Sequence, residues 1–223
     1  MPMNADELRH VDAMVEAWWW WGHTPDAAAG WYIGLELRGR RFDYWAGLVR
    51  NGEPYLYVEE LEGEGLRAGL EIKPPEMWAG HTCDVPFMQW SLGNEAHGVM
   101  LDDPFDAVRN AFGTLAPVTF DVEWYSDGAP RSMALAPAEG GYERQGYEQQ
   151  GSFDARIELS EGVLAFEGPS HRLHVWGAPY RPASLAMPAG DDLLWAPYRR
   201  HDGAVVVQVL TSAGWLARTV DAP

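Results

Sequence analysis

The chain is poor in two reactive residue types, since its 223 residues include one cysteine, Cys83, and one lysine, Lys73. A single cysteine excludes an internal disulfide framework and fits a reducing compartment. A lysine Schiff base would have to form at Lys73, which stands beside two prolines where a strand is expected to end. Disulfide-stapled folds and lysine-based covalent catalysis are therefore disfavoured.

Long apolar runs are also missing. No stretch approaches the roughly 20 residues of a membrane-crossing helix. The first residues lack the basic segment and apolar core of a signal peptide. We therefore expect a cytoplasmic protein without membrane insertion.

Positive charge is scarce, and the formal net charge is -17 at pH 7. Such a balance argues against nucleic acid and anionic membrane surfaces as partners. By contrast, tryptophan is abundant, with 12 residues. Indole rings suit an apolar ligand, or a developing cation through their π faces. The expected partner is an apolar small molecule, and the chain is expected to be a monomer or a homodimer.

Short alternating segments predict an all-β, mainly antiparallel fold. Residues 31–37 alternate apolar and polar, and Asn51-Gly52 is a strong hairpin signal between two further runs. Strands at short spacing joined by turns indicate a barrel or a sandwich. Two helices are also predicted. One begins near Asn4, with Glu7 as its capping partner and with Leu8 and Val11 at helical spacing, and a short one lies near 103–112.

A stretch rich in glycine, proline and alanine at 128–146 predicts a linker or a lid. It divides the chain into an N-terminal domain, 1–127, and a C-terminal domain, 147–223. The start of the second domain, 147–177, is interpreted as three short strands, with the last reversal at the Glu-Gly-Pro segment that ends at Pro169.

The last of these three strands carries an unusual polar face. Ser170, Arg172, His174 and Trp176 alternate with apolar neighbours, so they share one side of a strand. Guanidinium, imidazole and indole groups in a row are unlike an ordinary solvent-facing row. They form either a structural polar network or the wall of a cavity, and both alternatives stay open.

Two motifs carry a resemblance to a known family. Tyr147-Glu148-Gln149-x-Gly151, followed by Arg172-x-His174-x-Trp176-Gly177, resembles the second-domain signature of the AttH-like superfamily. Glu16-x-Trp18-Trp19 is similar to the Glu-x-Trp-aromatic motif that opens its first domain. The superfamily includes hydroxyneurosporene synthase (the carotenoid 1,2-hydratase), tocopherol cyclase-like proteins and decalin-forming Diels–Alderases. Its usual second motif is Arg-Asp-His-Ser-Trp-Gly-x-Arg-Asp, and here Leu173 and Tyr180 replace the acids.

The resemblance implies two calycin- or lipocalin-like β-domains with a cavity at or near their junction. Glu16, Arg172 and His174 are the candidate catalytic residues; Glu16 would become a general acid if burial raised its pKa, or it would be a carboxylate that lies at the surface or pairs with Arg172. Candidate substrate-binding residues are Trp18, Trp20, Trp45, Tyr147, Gln149, Trp176, Tyr180 and Trp195.

No cofactor and no metal are expected. His171 and His174 are three residues apart in a predicted strand, so their imidazoles face opposite sides and cannot share an ion. Phosphate-binding loops, dinucleotide fingerprints and nucleophile elbows are missing from the sequence.

The predicted function is that of a cofactor-independent enzyme acting on an apolar isoprenoid- or polyketide-like molecule. The missing motif acids favour a cyclase or isomerase over a hydratase. A hydratase of an isoprenoid double bond and a non-catalytic lipocalin-like binding protein are the alternatives.

Overall fold

A computed structural model describes residues 2–26, 28–50, 52–102, 106, 111–133, 144–177, 194–199, 205–211 and 214–220. For Arg144 and for the last three ranges, only the backbone is described. Within these residues the secondary structure is one 3-10 helix, Asn4–Glu7, and antiparallel strands. The strands are β1 (Val15–His23), β2 (Ala29–Arg38), β3 (Arg41–Arg50), β4 (Tyr55–Gly63), β5 (Leu70–Ile72), β6 (Trp78–Val85), β7 (Gln89–Leu101), β8 (Thr114–Ser126), β9 (Arg131–Ser132), β10 (Arg144–Leu159), β11 (Gly162–Gly177), β12 (Leu194–Arg199), β13 (Val205–Thr211) and β14 (Gly214–Val220).

Eight strands close into a barrel. Their order is β4-β3-β2-β1-β11-β10-β8-β7, and β7 pairs back with β4 through Tyr55 and Leu101. β6 and β5 extend the sheet beyond β7, and β9 pairs with β10. β12, β13 and β14 form a separate three-stranded sheet, and β12 lies in contact with β2 and β3. The prediction of an all-β antiparallel fold is confirmed.

The segment 147–177 forms part of this barrel. β10 pairs with β8 and β9, while β11 pairs with β1 along eight residue pairs from Val15–Gly177 to Gly22–Ser170. The last reversal predicted at Pro169 is wrong, because β11 runs without a break from Gly162 to Gly177. Proline is tolerated there because the pairing of β11 with β1 begins one residue later, so no β1 partner needs its missing N–H. The division of the chain near 128–146 stays a prediction.

The predicted N-terminal helix is mostly wrong. Only Asn4–Glu7 is helical, and it is capped by a hydrogen bond of 2.7 Å from the Met3 backbone N–H to the Asp6 carboxylate. Leu8 and Val11 are exposed and have no apolar face to join. The helical spacing failed because the apolar positions that continue it, from Val15 onward, belong to a strand. The second predicted helix, 103–112, lies almost wholly outside the described residues.

The four consecutive indoles of β1 divide between the two faces of the sheet, because successive side chains of a strand point to opposite sides. Trp18 and Trp20 point into the barrel and join the larger apolar cluster. Trp19 and Trp21 point outward and join a second cluster with Trp45. All four rings are buried. No helix among the described residues is long and apolar enough to cross a membrane.

Polar side chains also lie inside the barrel. His81 is buried, with its ring centroid 5.3 Å from that of Trp20 and 5.9 Å from that of Tyr44. Burial lowers the pKa of His81 to about 4, against a smaller opposing effect of the Gly80 backbone. The imidazole is therefore neutral at pH 7.

We expect Gly34→Ala to destabilise the protein. A Cβ built at Gly34 would lie 2.4 Å from Cζ3 of Trp19, whose ring stacks on Trp45 at 5.3 Å. Relief of such a clash inside a packed layer costs about 1–3 kcal/mol. The free energy of unfolding in urea measures the loss. Gly128→Ala is the matched control, because a Cβ there meets nothing within 4 Å; equal effects of the two substitutions would contradict the packing described for Trp19.

We expect acid to weaken the fold through His81. Its folded-state pKa of about 4 lies below the ordinary 6.5, so the unfolded chain binds the proton more readily. The stability it contributes is complete above pH 6.5 and is lost as the pH falls to about 4, by roughly 3 kcal/mol. Urea unfolding at a series of pH values should show a flatter profile in this window for His81→Gln.

Two other titratable groups, His174 and Glu148, also contribute to the pH dependence of stability. Burial also lowers the pKa of His174, so part of the loss of stability below pH 6.5 persists in the variant. The pKa of Glu148 is lowered to about 2, chiefly by its bond with His171, so its contribution is lost only below pH 4.5. A His81→Gln profile parallel to that of the wild type would contradict the prediction.

Candidate functional site

The two sequence motifs lie side by side at one end of the barrel. The register between β1 and β11 sets Glu16 opposite Trp176, Trp18 opposite His174 and Trp20 opposite Arg172. Because alternate residues of a strand share a face, these six side chains point to the same side of the sheet, which is the barrel interior. The polar face predicted for β11 therefore lines the inside of the barrel.

The N-terminal segment, residues 2–14, crosses this end of the barrel. A guanidinium nitrogen of Arg9 donates to the carbonyl oxygen of Gly39 in the β2–β3 turn, at 2.5 Å. The backbone N–H of Phe87, in the β6–β7 turn, donates to the Glu7 carboxylate at 2.7 Å. The segment thus brings its own side chains against the interior face of β10 and β11.

Arg172 is buried and every one of its nitrogens has a partner. Nη1 and Nη2 donate to the two carboxylate oxygens of Glu7 at 2.9 and 2.5 Å, which is a bidentate ion pair. Nε donates to Oε1 of Gln149 at 3.0 Å. The guanidinium carbon also lies 4.9 Å from the ring centroid of Trp124. Arg172 and Glu7 are each only 1% exposed at the side chain, so this pair is held out of water.

The orientation of Gln149 is fixed by its other bonds. Its amide nitrogen donates to the carbonyl oxygens of Phe87 and Gly128, at 2.8 and 2.6 Å. The amide oxygen is therefore the atom that faces Arg172.

Glu16 lies between two imidazoles. Its Oε1 accepts from Nε2 of His174 and from Nδ1 of His10, each at 2.8 Å, while its Oε2 accepts the His10 backbone N–H at 2.9 Å. The alternative in which Glu16 pairs with Arg172 is not found, because Glu7 occupies Arg172. Glu16 and His174 are buried, whereas the His10 side chain is 25% exposed.

Tyr147 connects the two groups of charges. Its hydroxyl donates to Oε2 of Glu7 at 2.8 Å and lies 3.4 Å from Nδ1 of His174. Burial raises the pKa of Tyr147, and the opposing charge of Arg172 is the smaller effect, so the hydroxyl keeps its proton. Burial likewise lowers the pKa of His174, against its bond with Glu16, so neutral imidazole is favoured. A continuous polar chain thus runs from Arg172 to His10.

Indole rings hold both imidazoles. His10 stacks on Trp176 with ring centroids 4.1 Å apart and planes within 7°. His174 stacks on Trp18 at 4.5 Å. These contacts leave each ring little freedom to rotate away from Glu16.

Most of the predicted site residues therefore come together; two lie elsewhere, and the side chains of two others are not among those described. Trp20 lies deeper in the barrel, 5.2 Å from Trp90 between ring centroids. Trp45 is buried on the outer face of the sheet, away from Trp18. Trp195 belongs to β12, of which only the backbone is described, and Tyr180 lies outside the described residues. Their predicted roles in substrate binding stay predictions.

Sequence reasoning missed Glu7 and His10 as site residues. Both stand in a segment interpreted as a helix, where Glu7 was assigned to capping. The signal that could have found Glu7 is the need of a buried arginine for a carboxylate, once Arg172 is placed on an interior face. The acids missing from the β11 motif are thus matched by two carboxylates from the first 16 residues, Glu7 and Glu16.

His10, Glu16 and His174 could also hold a metal ion, because one ligand atom from each lies within 4.8 Å of the others. Two imidazoles and a carboxylate suit several transition metals. Both imidazoles already satisfy the carboxylate by hydrogen bonds, however, so the cluster needs no ion for its polar groups to be paired. His171 contacts Trp21 on the outer face, so it does not join His174, as predicted.

A polar groove backs onto this site. It has a volume of about 200 Å³ and is lined by Asp127, Gly128, Ala129, Arg131, Glu148, Gln149, Gln150 and His171. His171 and Arg131 bond to Glu148 and hold the pKa of its carboxyl at about 2, against desolvation. An anionic Glu148 makes the groove unsuited to an apolar ligand.

Apolar side chains are exposed on the segment that carries His10 and on the β6–β7 turn, which bonds to that segment through Phe87. Leu8, Val11 and Met14, on the segment that crosses the barrel end, are 66%, 80% and 54% exposed, and Met88 in the β6–β7 turn is 58% exposed. Exposed apolar groups gathered near a polar cluster are typical of a surface that meets an apolar partner.

Comparison with known proteins supports the fold. No protein-family model matches the chain, and no curated protein matches it significantly. A crystal structure from Nitrosomonas europaea, of a protein named as an AttH candidate, superposes with a TM-score of 0.52 at 12% identity, covering 98% of this chain and 72% of that one. A crystal structure of CghA gives a TM-score of 0.34 at 10% identity, covering 91% of this chain and 59% of that one, a likeness too weak to use further. The chain therefore has a fold similar to that of the Nitrosomonas protein, in agreement with the predicted resemblance at the level of fold; membership of the AttH-like superfamily stays a prediction.

Proposed function

We propose that the chain is a cofactor-independent enzyme that moves a proton within an apolar small molecule, as an isomerase or a proton-assisted cyclase. The observation that carries the proposal is the His10–Glu16–His174 arrangement, in which one buried carboxylate fixes two imidazoles at 2.8 Å. An imidazole oriented by a carboxylate is the common arrangement for a general base.

His10 is the group that meets the ligand. Its Nδ1 donates to Glu16, which leaves Nε2 as the acceptor that can take a proton. Nε2 lies 3.8 Å from a carboxylate oxygen of Asp6, whose charge stabilises the imidazolium formed by that transfer. Stacking on Trp176 keeps the ring in place, and its partial exposure leaves a side open to a ligand.

The ligand is apolar because of what surrounds His10. The exposed Leu8, Val11 and Met14 flank it in sequence, and the net charge of -17 disfavours anionic substrates. An apolar isoprenoid- or polyketide-like molecule with an acidic C–H or a protonatable double bond fits this surface. Such a group needs a base and an acid placed close together, rather than a cofactor.

Arg172 has a positioning role in this proposal. Glu7 and Gln149 occupy all of its nitrogens, so no donor is left for a substrate. Its bonds hold Glu7, and through Glu7 they hold the segment that carries His10. Catalysis therefore depends on Arg172 through the placement of His10.

We expect Arg172→Leu to lower the free energy of unfolding by about 3–5 kcal/mol, because it leaves the Glu7 carboxylate buried without its counter-charge. The double variant Arg172→Leu/Glu7→Leu should recover much of that loss, since no unpaired charge remains. Thermal unfolding measures both. A double variant less stable than Arg172→Leu alone would contradict the inference that Glu7 and Arg172 neutralise each other's buried charge.

The function is tested in deuterated water with a panel of apolar olefins and enones, followed by mass spectrometry. The expected product has the same formula as its substrate and carries a deuterium from the solvent, because the proton passes through His10. Glu16→Gln and His10→Asn should each slow conversion by about 10²- to 10⁴-fold. His171→Asn is the matched control, because His171 lies on the opposite face of β11 from His174.

The other outcomes identify the alternatives. Gain of one water identifies a hydratase, and a rearranged product without deuterium identifies a pericyclic cyclisation that uses the surface as a template. Binding of panel members without any conversion favours a lipocalin-like carrier. The pericyclic product and binding without conversion each contradict proton transfer by His10, whereas gain of water contradicts the assignment as an isomerase or cyclase.

A further inference from the structure

Five polar atoms deep in the barrel make no hydrogen bond of ordinary geometry with any residue that the structure describes. They are the Tyr44 hydroxyl, both ring nitrogens of His81 and both amide atoms of Asn94. Exposure of the three residues is 0%, 5% and 0%. Burial raises the pKa of Tyr44 and lowers that of His81. The nearby Asn94 side chain and Gly80 backbone oppose these shifts, but neither contact has the geometry of an ordinary hydrogen bond.

These atoms lie within one aromatic region of the interior. The rings of Tyr44 and His81 are 5.9 Å apart and nearly parallel, and Trp20 lies 5.3 Å from His81. Trp90 lies 5.2 Å from Trp20, and the indole N–H groups of both are also without partners. A few convergent polar groups among aromatic rings is the usual composition of a small-molecule site.

Unpaired polar atoms in such a place need an explanation. Buried polar groups in folded proteins are almost always hydrogen-bonded. A buried group without a partner loses its hydration and gains no bond in return, which destabilises the folded state. Five exceptions in one region would together cost an amount comparable with the net stability of a whole domain. A group from outside the chain that bonds to them removes this cost.

The chemistry of the five atoms defines that group. No charged side chain is among them, and His81 is neutral at pH 7 because burial lowers its pKa to about 4. Among the five atoms, donors and acceptors are balanced, and the two indole N–H groups of Trp20 and Trp90 add two further donors to the region. The complementary group is a neutral oxygen acceptor.

We propose that the interior around Tyr44, His81 and Asn94 binds the carbonyl or hydroxyl oxygens of a neutral, otherwise apolar small molecule. The site is separate from the His10–Glu16–His174 cluster. The two share no residue: His81 contacts Trp20, whose ring lies 5.2 Å from that of Trp90, and the Trp90 ring lies 5.7 Å from the Arg172 guanidinium. The inference concerns binding alone and does not depend on turnover.

The test compares ketones with hydrocarbons of the same carbon skeleton. The probes are cyclohexanone and β-ionone, each against its oxygen-free counterpart, titrated into the protein while tryptophan fluorescence and calorimetry are recorded. Glu16→Gln serves as the parent protein, so that turnover does not enter the measurement. We expect at least one ketone to bind about tenfold more tightly than its hydrocarbon.

Tyr44→Phe and Asn94→Leu should each reduce this preference by about three- to tenfold. Without ligand, neither variant should unfold at a lower temperature than its parent, because each removes an unpaired buried group. Tyr32→Phe is the matched control: the Tyr32 hydroxyl lies on the outer face and bonds to Tyr55 at 2.6 Å. Its loss should lower the unfolding temperature and leave the ketone preference unchanged.

Two results would overturn the proposal. The first is an equal affinity for ketone and hydrocarbon with both probe pairs. The second is a drop in unfolding temperature for Tyr44→Phe as large as that for Tyr32→Phe, together with an unchanged preference. That second result would assign ordered water to the region.

Discussion

The arrangement of the N-terminal segment and of the candidate site depends on one buried charge, that of Arg172. Arg172 projects from β11 into the barrel, where an isolated guanidinium would be strongly destabilising. Glu7 compensates that charge with both carboxylate oxygens, and Tyr147 and the Phe87 backbone complete the bonding of Glu7. Because Glu7 comes from the segment across the barrel end, this single ion pair fixes where the segment lies.

The position of the candidate site follows from that constraint. With Glu7 anchored, His10 reaches Glu16 at the start of β1 and stacks on Trp176 at the end of β11. Glu16 then orients His174 from the other side. The same structure thus combines a rigid, fully paired interior at Arg172 with a partly exposed imidazole at His10, and a site that must meet a ligand needs both.

Much of the fold could be predicted from the sequence, because two-residue alternation is a local property. The faces of β1 and the polar row of β11 follow from their residue order, and the structure confirms them. The continuity of β11 through Pro169 could not be predicted, since it depends on where a neighbouring strand ends. The helix predicted from Leu8 and Val11 was wrong for a related reason: apolar residues at helical spacing stabilise a helix only if their face packs on another surface.

The site was predictable in part. The two motifs pointed to Glu16, Arg172 and His174, which do lie near one another, but they gave no information on which acid would pair with which base. Glu7 and His10 precede the motifs, and their contacts are made by a segment with no regular pattern of its own. Trp45 illustrates the opposite case, because an indole in a strand packs equally well on either face, and only closure of the barrel decides which one.

The ion pair between Glu7 and Arg172 joins residues 165 positions apart. During synthesis Glu7 leaves the ribosome long before Arg172. One edge of β1, the strand that carries the four indoles, also stays unpaired until β11 has been made. The early chain therefore passes through a stage with an open, tryptophan-rich edge, and contacts of such sequence separation form slowly. The contact that completes the site is thus also among the last that the chain can make, so the arrangement of His10, Glu16 and His174 cannot exist in any partly folded form that lacks β11.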